Sequence, residues 1–456
     1  MHDEAHQTSI IHAQPASGRT RRPRAWVVSA DMGYGHRRAV HPLRDIAEGG
    51  IINAGSSEST PPAEQKLWER LLHGYEAFSR ARSLPFIGRP LFSILDTLLR
   101  IPSFYPMRNL SSSTFQVALL DSLIKKGLCS GIMEKVRSRH LPMITSFFAP
   151  AIAADRAGHE TVYCLICDAD LNRVWVAREP WESRITYFAP CGKAAQRLKA
   201  YGVPEQRIFL TGFPFSRSLL GGRDLPVLKE DLGQRLFYLD PSELFRQRHG
   251  PSVEHFLGKK QCIFRHERVL TVTFSVGGAG AQTEVGMSIA RSLKKSIHDG
   301  RIRLNLAAGV RPSVRDSFQQ LKSEVAPDSP YLQILHADNL DDYFDVFDGA
   351  LRSTDILWTK PSELSFYCGL GIPIVTTPAI GSQEQFNRRW LLELGAGIRQ
   401  ENPDYTDQWL FDYLRNGLFA DAAWSGFLKA RKLGIYNILD ILSTGVMPPE
   451  TSAILR

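Results

Sequence analysis

Ala25-Trp-Val-Val-Ser-Ala30 is an apolar run of strand length, and Asp31-Met-Gly-Tyr-Gly-His-Arg37 follows it with two glycines and a turn to polar side chains. A short run with no polar alternation reads as a strand buried on both faces, as in parallel sheets. The residues up to Glu48 are compatible with a helix, so the order is strand, glycine turn, helix. Such a unit aims backbone N–H groups and the positive end of a helix at an anion. The same order returns at Val269-Leu-Thr-Val-Thr-Phe-Ser-Val276, which runs into Gly277-Gly-Ala-Gly280 and another helical stretch. Two such units in one chain predict an α/β protein made of two doubly wound halves facing a central cleft.

In the first half, Met143–Ala153 and Thr161–Cys167 read as strands, Thr186-Tyr-Phe-Ala-Pro190 begins another, and Ile208–Pro214 is a strand meeting a turn. In the second, Arg303–Ala308, Leu332–Leu335, Ile356–Thr359 and Ile372–Thr376 supply strands. Alternation of strands with helices predicts open parallel sheets covered on both sides. Residues 55–64 read as a loop, and 65–140 as a helical insertion broken by Pro85, Pro90, Pro102 and Pro106. The expected boundaries are a basic flexible tail over 1–24, an N-terminal domain over 25–218 and a linker with insertion over 219–268. A C-terminal domain over 269–406 follows, with helices over 407–456 that pack back on the first domain.

A chain of 456 residues can bury two or three cores. Its 43% hydrophobic and 22% charged residues exclude a generally disordered or collagen-like chain. Fifty-five Lys+Arg against 47 Asp+Glu, formally +8, favour anionic partners without choosing among them. The six cysteines are mostly isolated, which fits a reducing compartment better than a disulfide framework. Cys164 and Cys167 have CxxC spacing, but strand geometry turns i and i+3 to opposite faces. The polar start, ending in Arg19, Arg21, Arg22 and Arg24, lacks the apolar core of a secretory signal, and no run reaches the ~20 apolar residues of a membrane span. A cytoplasmic protein, peripheral on a membrane, is the expectation. The arginine cluster has no interleaved aromatics, so no nucleic acid is expected.

Neither glycine turn is a P-loop, since the Lys-Ser/Thr pair is missing, and neither spells GxGxxG with a placed acidic residue. His36 directly follows the first turn, and an imidazole titrating near neutrality suits a base that takes a proton from a hydroxyl. Tight-turn glycines and a capping histidine are the plain alternatives. The other twelve histidines lack ligand spacing such as HExxH, so no protein-built metal site is expected.

Asp31-Met-Gly-Tyr-Gly-His-Arg37 resembles the DxGxGHR turn of the monogalactosyl- and processive glucosyl-diacylglycerol synthases, relatives of the MurG-type GT-B glycosyltransferases. The resemblance continues in order through Cys167-Asp168 with Trp175, Tyr187-Phe188, Gly202-Val-Pro204, Arg207-Ile208 and Thr211-Gly-Phe-Pro214. In the second half it runs through Ser275–Gly280, Thr359-Lys-Pro361, Gly371-Ile-Pro373 and Gly381-Ser-Gln-Glu-Gln-Phe-Asn387. It implies two Rossmann-like domains, with the acceptor on the first and a nucleotide sugar mainly on the second. Carried over position by position, it makes His36 the base with Asp168 as a second catalytic candidate, and Gly33 and Gly35 the glycines of the first turn. The turn Gly277, Gly278, Ala279 and Gly280 would approach the diphosphate, with Lys360, Ser362 and Glu363 beside it, and Gln383, Glu384 and Asn387 would address sugar or phosphates.

The family's ribose glutamate falls where Phe366 stands, so Glu363 is the candidate to replace it, or else an acidic first-turn residue of a helix. The resemblance implies no cofactor and no metal. The donor is a nucleotide-diphosphate sugar, with a UDP-sugar as first expectation, and the activity is hexose transfer to a hydroxyl acceptor. A sugar-nucleotide epimerase or hydrolase and a non-catalytic sugar-nucleotide-binding protein are the alternatives. The stretch Leu84–Arg108 mixes Phe86, Phe92 and Leu95 with Arg82, Arg89, Arg100 and Arg108 around it, which would suit a lipid acceptor at an anionic membrane surface or, alternatively, a packed core.

Overall fold

The computed structural model describes residues 23–56, 59–68, 101–263, 268–277, 280, 282–379, 381–450, 452, 454 and 456. Within them, β1 (Trp26–Ala30), β2 (Ile52–Ala54), β3 (Met143–Thr145), β4 (Val162–Leu165), β5 (Thr186–Phe188) and β6 (Ile208–Phe209) form one sheet. Its order is β2-β1-β3-β4-β5-β6. A second sheet takes β7 (Leu270–Ser275), β8 (Ile302–Gly309), β9 (Leu332–His336), β10 (Ile356–Thr359), β11 (Ile374–Thr376) and β12 (Gly397–Arg399) in the order β12-β11-β10-β7-β8-β9. Every pairing in both sheets is parallel. All positions of β1 and of β7 are buried, Ser29, Thr271, Thr273 and Ser275 included, as strands covered on both faces require.

In each sheet the chain order reverses beside the first strand, between β1 and β3 and between β7 and β10. Loops leaving neighbouring strands part in opposite directions there, and the crevice beyond the strands' carboxyl ends is where such sheets take ligands. The second sheet has the Rossmann dinucleotide order. Two doubly wound Rossmann-like domains thus face each other in the GT-B manner, as expected.

Some elements differ from expectation. Met143–Ala153 is not one strand: β3 stops at Thr145, and a helix runs Phe148–Arg156. Pro150 falls in that helix's first turn, where no intrahelical N–H is required. Residues 219–268 hold two 14-residue helices, Pro226–Leu239 and Leu244–Leu257, rather than irregular linker. They belong to the core, because buried Arg235 donates to the carbonyls of Thr354, Leu370 and Gly371. Strands β2 and β12, three residues each, have too little period to be read from sequence. A helix begins at Pro62, inside the expected loop. Buried Glu64 fixes it by accepting from the Cys129 and Gly131 N–H groups at 2.8 and 2.9 Å. The tail over 1–22 and the stretch 69–100, with Phe86, Phe92 and Leu95, lie outside the described residues.

The last helix, Gly434–Thr444, returns to the first domain. Asn437 donates to the Thr211 carbonyl at 2.8 Å, and a Cβ on Gly434 would stand 2.3 Å from the Phe213 carbonyl oxygen. Only glycine allows the two chain crossings to touch so closely.

Candidate active site in the interdomain cleft

The turn after β1 needs glycine at position 33, where φ is 102°, and it delivers the helix Tyr34–Val40. His36, in that helix's first turn, reaches across the reversal point to the segment after β3. Its Nδ1 lies 2.7 Å from the Ser146 carbonyl, and the Ser146 hydroxyl donates back to the His36 carbonyl at 2.8 Å. A carbonyl only accepts, so Nδ1 carries the proton and Nε2 is the basic nitrogen. Phe147 and Trp175 wall the ring, with centroids 5.1 and 6.0 Å away. Burial lowers the pKa of His36 below its ordinary 6.5, against the opposing pull of the Ser146 carbonyl and the Glu363 charge. The imidazole is therefore neutral at pH 7, as a base must be.

Asp168 follows β4, next to Cys167, whose sulfur is 3.7 Å from His36 Nδ1. The pKa of Asp168 is pushed up to about 6 by burial, with further upward pressure from Glu363 and Glu384. Asn387 and Lys360 pull it back. Cys167 stays a thiol, since burial drives its pKa upward.

The second domain meets these groups directly. The helix Ser382–Leu394 presents Gln383 and Glu384 half-buried in its first turn and buries Asn387. Asn387 bridges the two domains. Its Nδ2 donates to Asp168 at 2.8 Å and to the Pro361 carbonyl at 3.3 Å, while its oxygen accepts from Ala169 N–H at 2.8 Å. It is thus a strut between domains that holds the second catalytic candidate.

Lys360 leaves β10 beside the glycine turn, and a Cβ on Gly277 would lie 2.6 Å from its Cε. Its ammonium donates to Glu384 at 3.2 Å. Gly280 has φ 70° and bonds back to the Gly277 carbonyl at 2.8 Å, which closes the turn before the helix Thr283–Ser292. Gly278 and Ala279 lie outside the described residues.

Glu363 is buried and pairs with Arg38 of the first domain at 3.3 Å. Its other oxygen would stand 2.9 Å from a Cβ on Gly35, so a carboxylate, not an anion-binding void, fronts that glycine. Ser362 precedes it, half-buried and without a side-chain cap bond. Phe366 stacks on Phe213 at 5.2 Å and packs on Trp390 at 5.0 Å, so this position is part of the apolar joint and cannot serve a ribose.

The structure therefore gathers His36, Asp168, Lys360, Glu363, Glu384 and Asn387 at the two facing reversal points. Sequence reasoning missed Tyr34, Arg38 and Ser146. A backbone carbonyl leaves no signal in side-chain identity, and Arg38 and Glu363 are 325 positions apart. Two cavities, of about 430 and 230 Å³, lie away from the cleft, the first against Leu270 and Arg301 at the amino edge of the second sheet. Among the described residues no three His, Cys, Asp or Glu side chains cluster as metal ligands, and no helix is long and apolar enough to cross a membrane.

The chain matches no protein-family model and no curated protein. Its fold is similar to that of the S. aureus MnaA–UDP co-structure, at 11% identity and TM-score 0.46 over 94% of this chain and 100% of that one. It is also similar to Acinetobacter baumannii MurG, at 13% identity and TM-score 0.38 over 71% and 78% of the two chains. A third likeness is to the spinosyn rhamnosyltransferase SpnG complexed with thymidine diphosphate, at 14% identity and TM-score 0.42 over 88% and 95%. At such scores and identities the site is read from this chain's own geometry.

Proposed function

We propose that the protein is a glycosyltransferase that moves a hexose-type sugar from a nucleotide-diphosphate sugar, a UDP-sugar first among them, to a hydroxyl acceptor. The observation that carries this reading is His36, neutral and with Nδ1 committed to Ser146, set against the glycine turn and Lys360 of a second nucleotide-type domain. His36 Nε2 takes the acceptor proton as the acceptor oxygen bonds to the anomeric carbon. The bond from that carbon to the diphosphate oxygen breaks, and the electron pair leaves with the diphosphate. In this reading Lys360 and the start of the Thr283–Ser292 helix stabilise that charge. Attack from the side opposite the leaving group makes the transfer inverting, and the proton steps need no metal.

An epimerase or hydrolase is the second reading, favoured by Asp168: a carboxyl pushed up to about 6 in the same cleft as a neutral imidazole offers acid–base groups that need no acceptor. Mass spectrometry of the protein with UDP-, GDP- and CDP-sugars, with and without acceptors, separates the two. Donor consumption that depends on an acceptor is expected. Consumption without acceptor overturns transfer in favour of the second reading. His36→Ala should keep the fold and lower turnover by ~10²–10⁴, and the wild-type rate should fall on an acid limb below pH 6.5 as the base is protonated. Wild-type turnover in that variant removes His36 as base.

The acceptor we propose is a membrane lipid. Tyr105, Met107, Phe115 and Leu119 of the first domain are exposed, the last two one helical turn apart on Phe115–Lys125, and Arg108 lies alongside in sequence. Apolar side chains with a neighbouring cation suit a lipid boundary, and the reading places the protein in the cytoplasm, peripheral on the membrane.

A further inference from the structure

The helix Tyr34–Val40 belongs to the first domain, yet it lies across the ligand crevice of the second. In the second sheet β7 sits between β10 and β8, and the helix is fastened on both sides of it. On the β8 side, the Tyr34 hydroxyl accepts the Val310 N–H at 3.1 Å. Gly309, at φ 71°, makes room for it, since a Cβ there would stand 2.6 Å from that hydroxyl. On the β10 side, Glu363 holds Arg38 and fronts Gly35. Arg38 is 3% exposed and lies 4.6 Å from the ring centroids of both Phe344 and Phe347. The helix therefore spans the carboxyl end of β7, where the Gly277 turn begins.

Resting on the donor reading above, we propose that the Tyr34–Val40 helix, moving as one body with Ser146 and the rest of the first domain so that His36 keeps its bond, is a gate over the second domain's crevice, displaced by a nucleotide diphosphate. Two features mark a contact suited to opening. Arg38 Nη1 is buried without a hydrogen-bond partner, so the closed contact is not fully satisfied. Two cations at the crevice are held by carboxylates, Lys360 by Glu384 and Arg38 by Glu363; a diphosphate competes with Glu384 for Lys360, and its charge repels Glu363, the carboxylate that anchors the helix. Phosphate oxygens take over Lys360, Arg38 leaves the crevice with its helix, and the released carboxylates are left to accept from ligand hydroxyls or water.

Hydrogen–deuterium exchange of the full chain, combined with UDP titration, tests the gate on the variant carrying Tyr34→Phe and Arg38→Gln. Exchange over residues 303–312 and 341–350 should rise several-fold while distant segments keep their rates. UDP half-saturation should fall roughly tenfold, because apparent affinity is reduced by the fraction of molecules that are closed. Tyr34→Phe alone keeps the ring packing, and it should shift both readouts in the same direction if the double variant does not fold. Unchanged exchange with normal UDP binding overturns the gate alone. Faster exchange with weaker UDP binding also overturns it, since the two side chains would then be ligand contacts. UDP binding by neither wild type nor variant overturns the donor reading, and with it the ligand proposed to open the gate.

Discussion

Asp168 shows how much one side chain's surroundings decide. Its carboxyl is shielded from water and crowded by the charges of Glu363 and Glu384, with one good hydrogen bond from Asn387 to offset them. A carboxyl whose folded pKa rises from 3.8 to about 6 favours folding fully only below the lower value. That contribution is lost as pH climbs through the upper one. Asp168→Asn keeps an oxygen for Asn387 and removes the charge. It should therefore raise stability by about 1–3 kcal/mol at pH 8 and by nothing measurable at pH 4. Melting curves at the two pH values check this; an equal effect at both would mean that Asp168 ionises freely. His36, with its pKa shifted downward by the same cause, has the opposite pH dependence, and its contribution is lost as pH falls. Protonating it below 6.5 costs folding free energy, so the fold itself favours the form that accepts a proton.

At the scale of elements, the legible parts were those whose residues satisfy a local rule. β1 is almost wholly apolar, β7 alternates apolar residues with Thr and Ser, and a glycine follows each within three residues. The helices Pro226–Leu239 and Leu244–Leu257 were hidden because Gly233, Gly250 and Pro251 interrupt them and because burial of Arg235 reverses the usual polar-out pattern. Gly233 has a tertiary cause: a Cβ there would lie 2.1 Å from the Gln261 carbonyl oxygen. Propensity alone predicts that Gly233→Ala stabilises its helix by ~1 kcal/mol. The contact predicts the opposite, a loss of about 1–3 kcal/mol as the Lys259–Cys262 turn is pushed away. A denaturant midpoint above that of the wild type would refute the packing argument. The site was legible to the same extent. His36 follows a recognisable turn and Lys360 a recognisable strand, whereas Ser146, Tyr34 and Arg38 act through contacts between distant segments. Asn387 is bonded to Asp168 and Ala169 of the other domain, contacts that no local pattern near a helix start reveals.

For the whole molecule, the formal charge of +8 and the exposed Tyr105, Met107, Phe115 and Leu119 bear on where the protein works. Flotation with vesicles of anionic lipid should bring the wild type to the top fraction. Phe115→Ser with Leu119→Ser should reduce that recovery at least several-fold, since each large apolar side chain contributes about 1.5–3 kcal/mol when taken from water. Equal recovery of the two proteins would place the contact elsewhere, and no flotation of either would favour a soluble acceptor.

The bond from Asn437 to Thr211 joins positions 226 residues apart and completes the first lobe with the last helix of the chain. On a ribosome adding ~5–20 residues each second, the first lobe would wait on the order of ten to forty seconds for its final piece. During that interval the surface around Phe213 is uncovered. Synthesis therefore leaves the first lobe incomplete until the last helix emerges, and that lobe without the helix is not a natural unit for expression by itself.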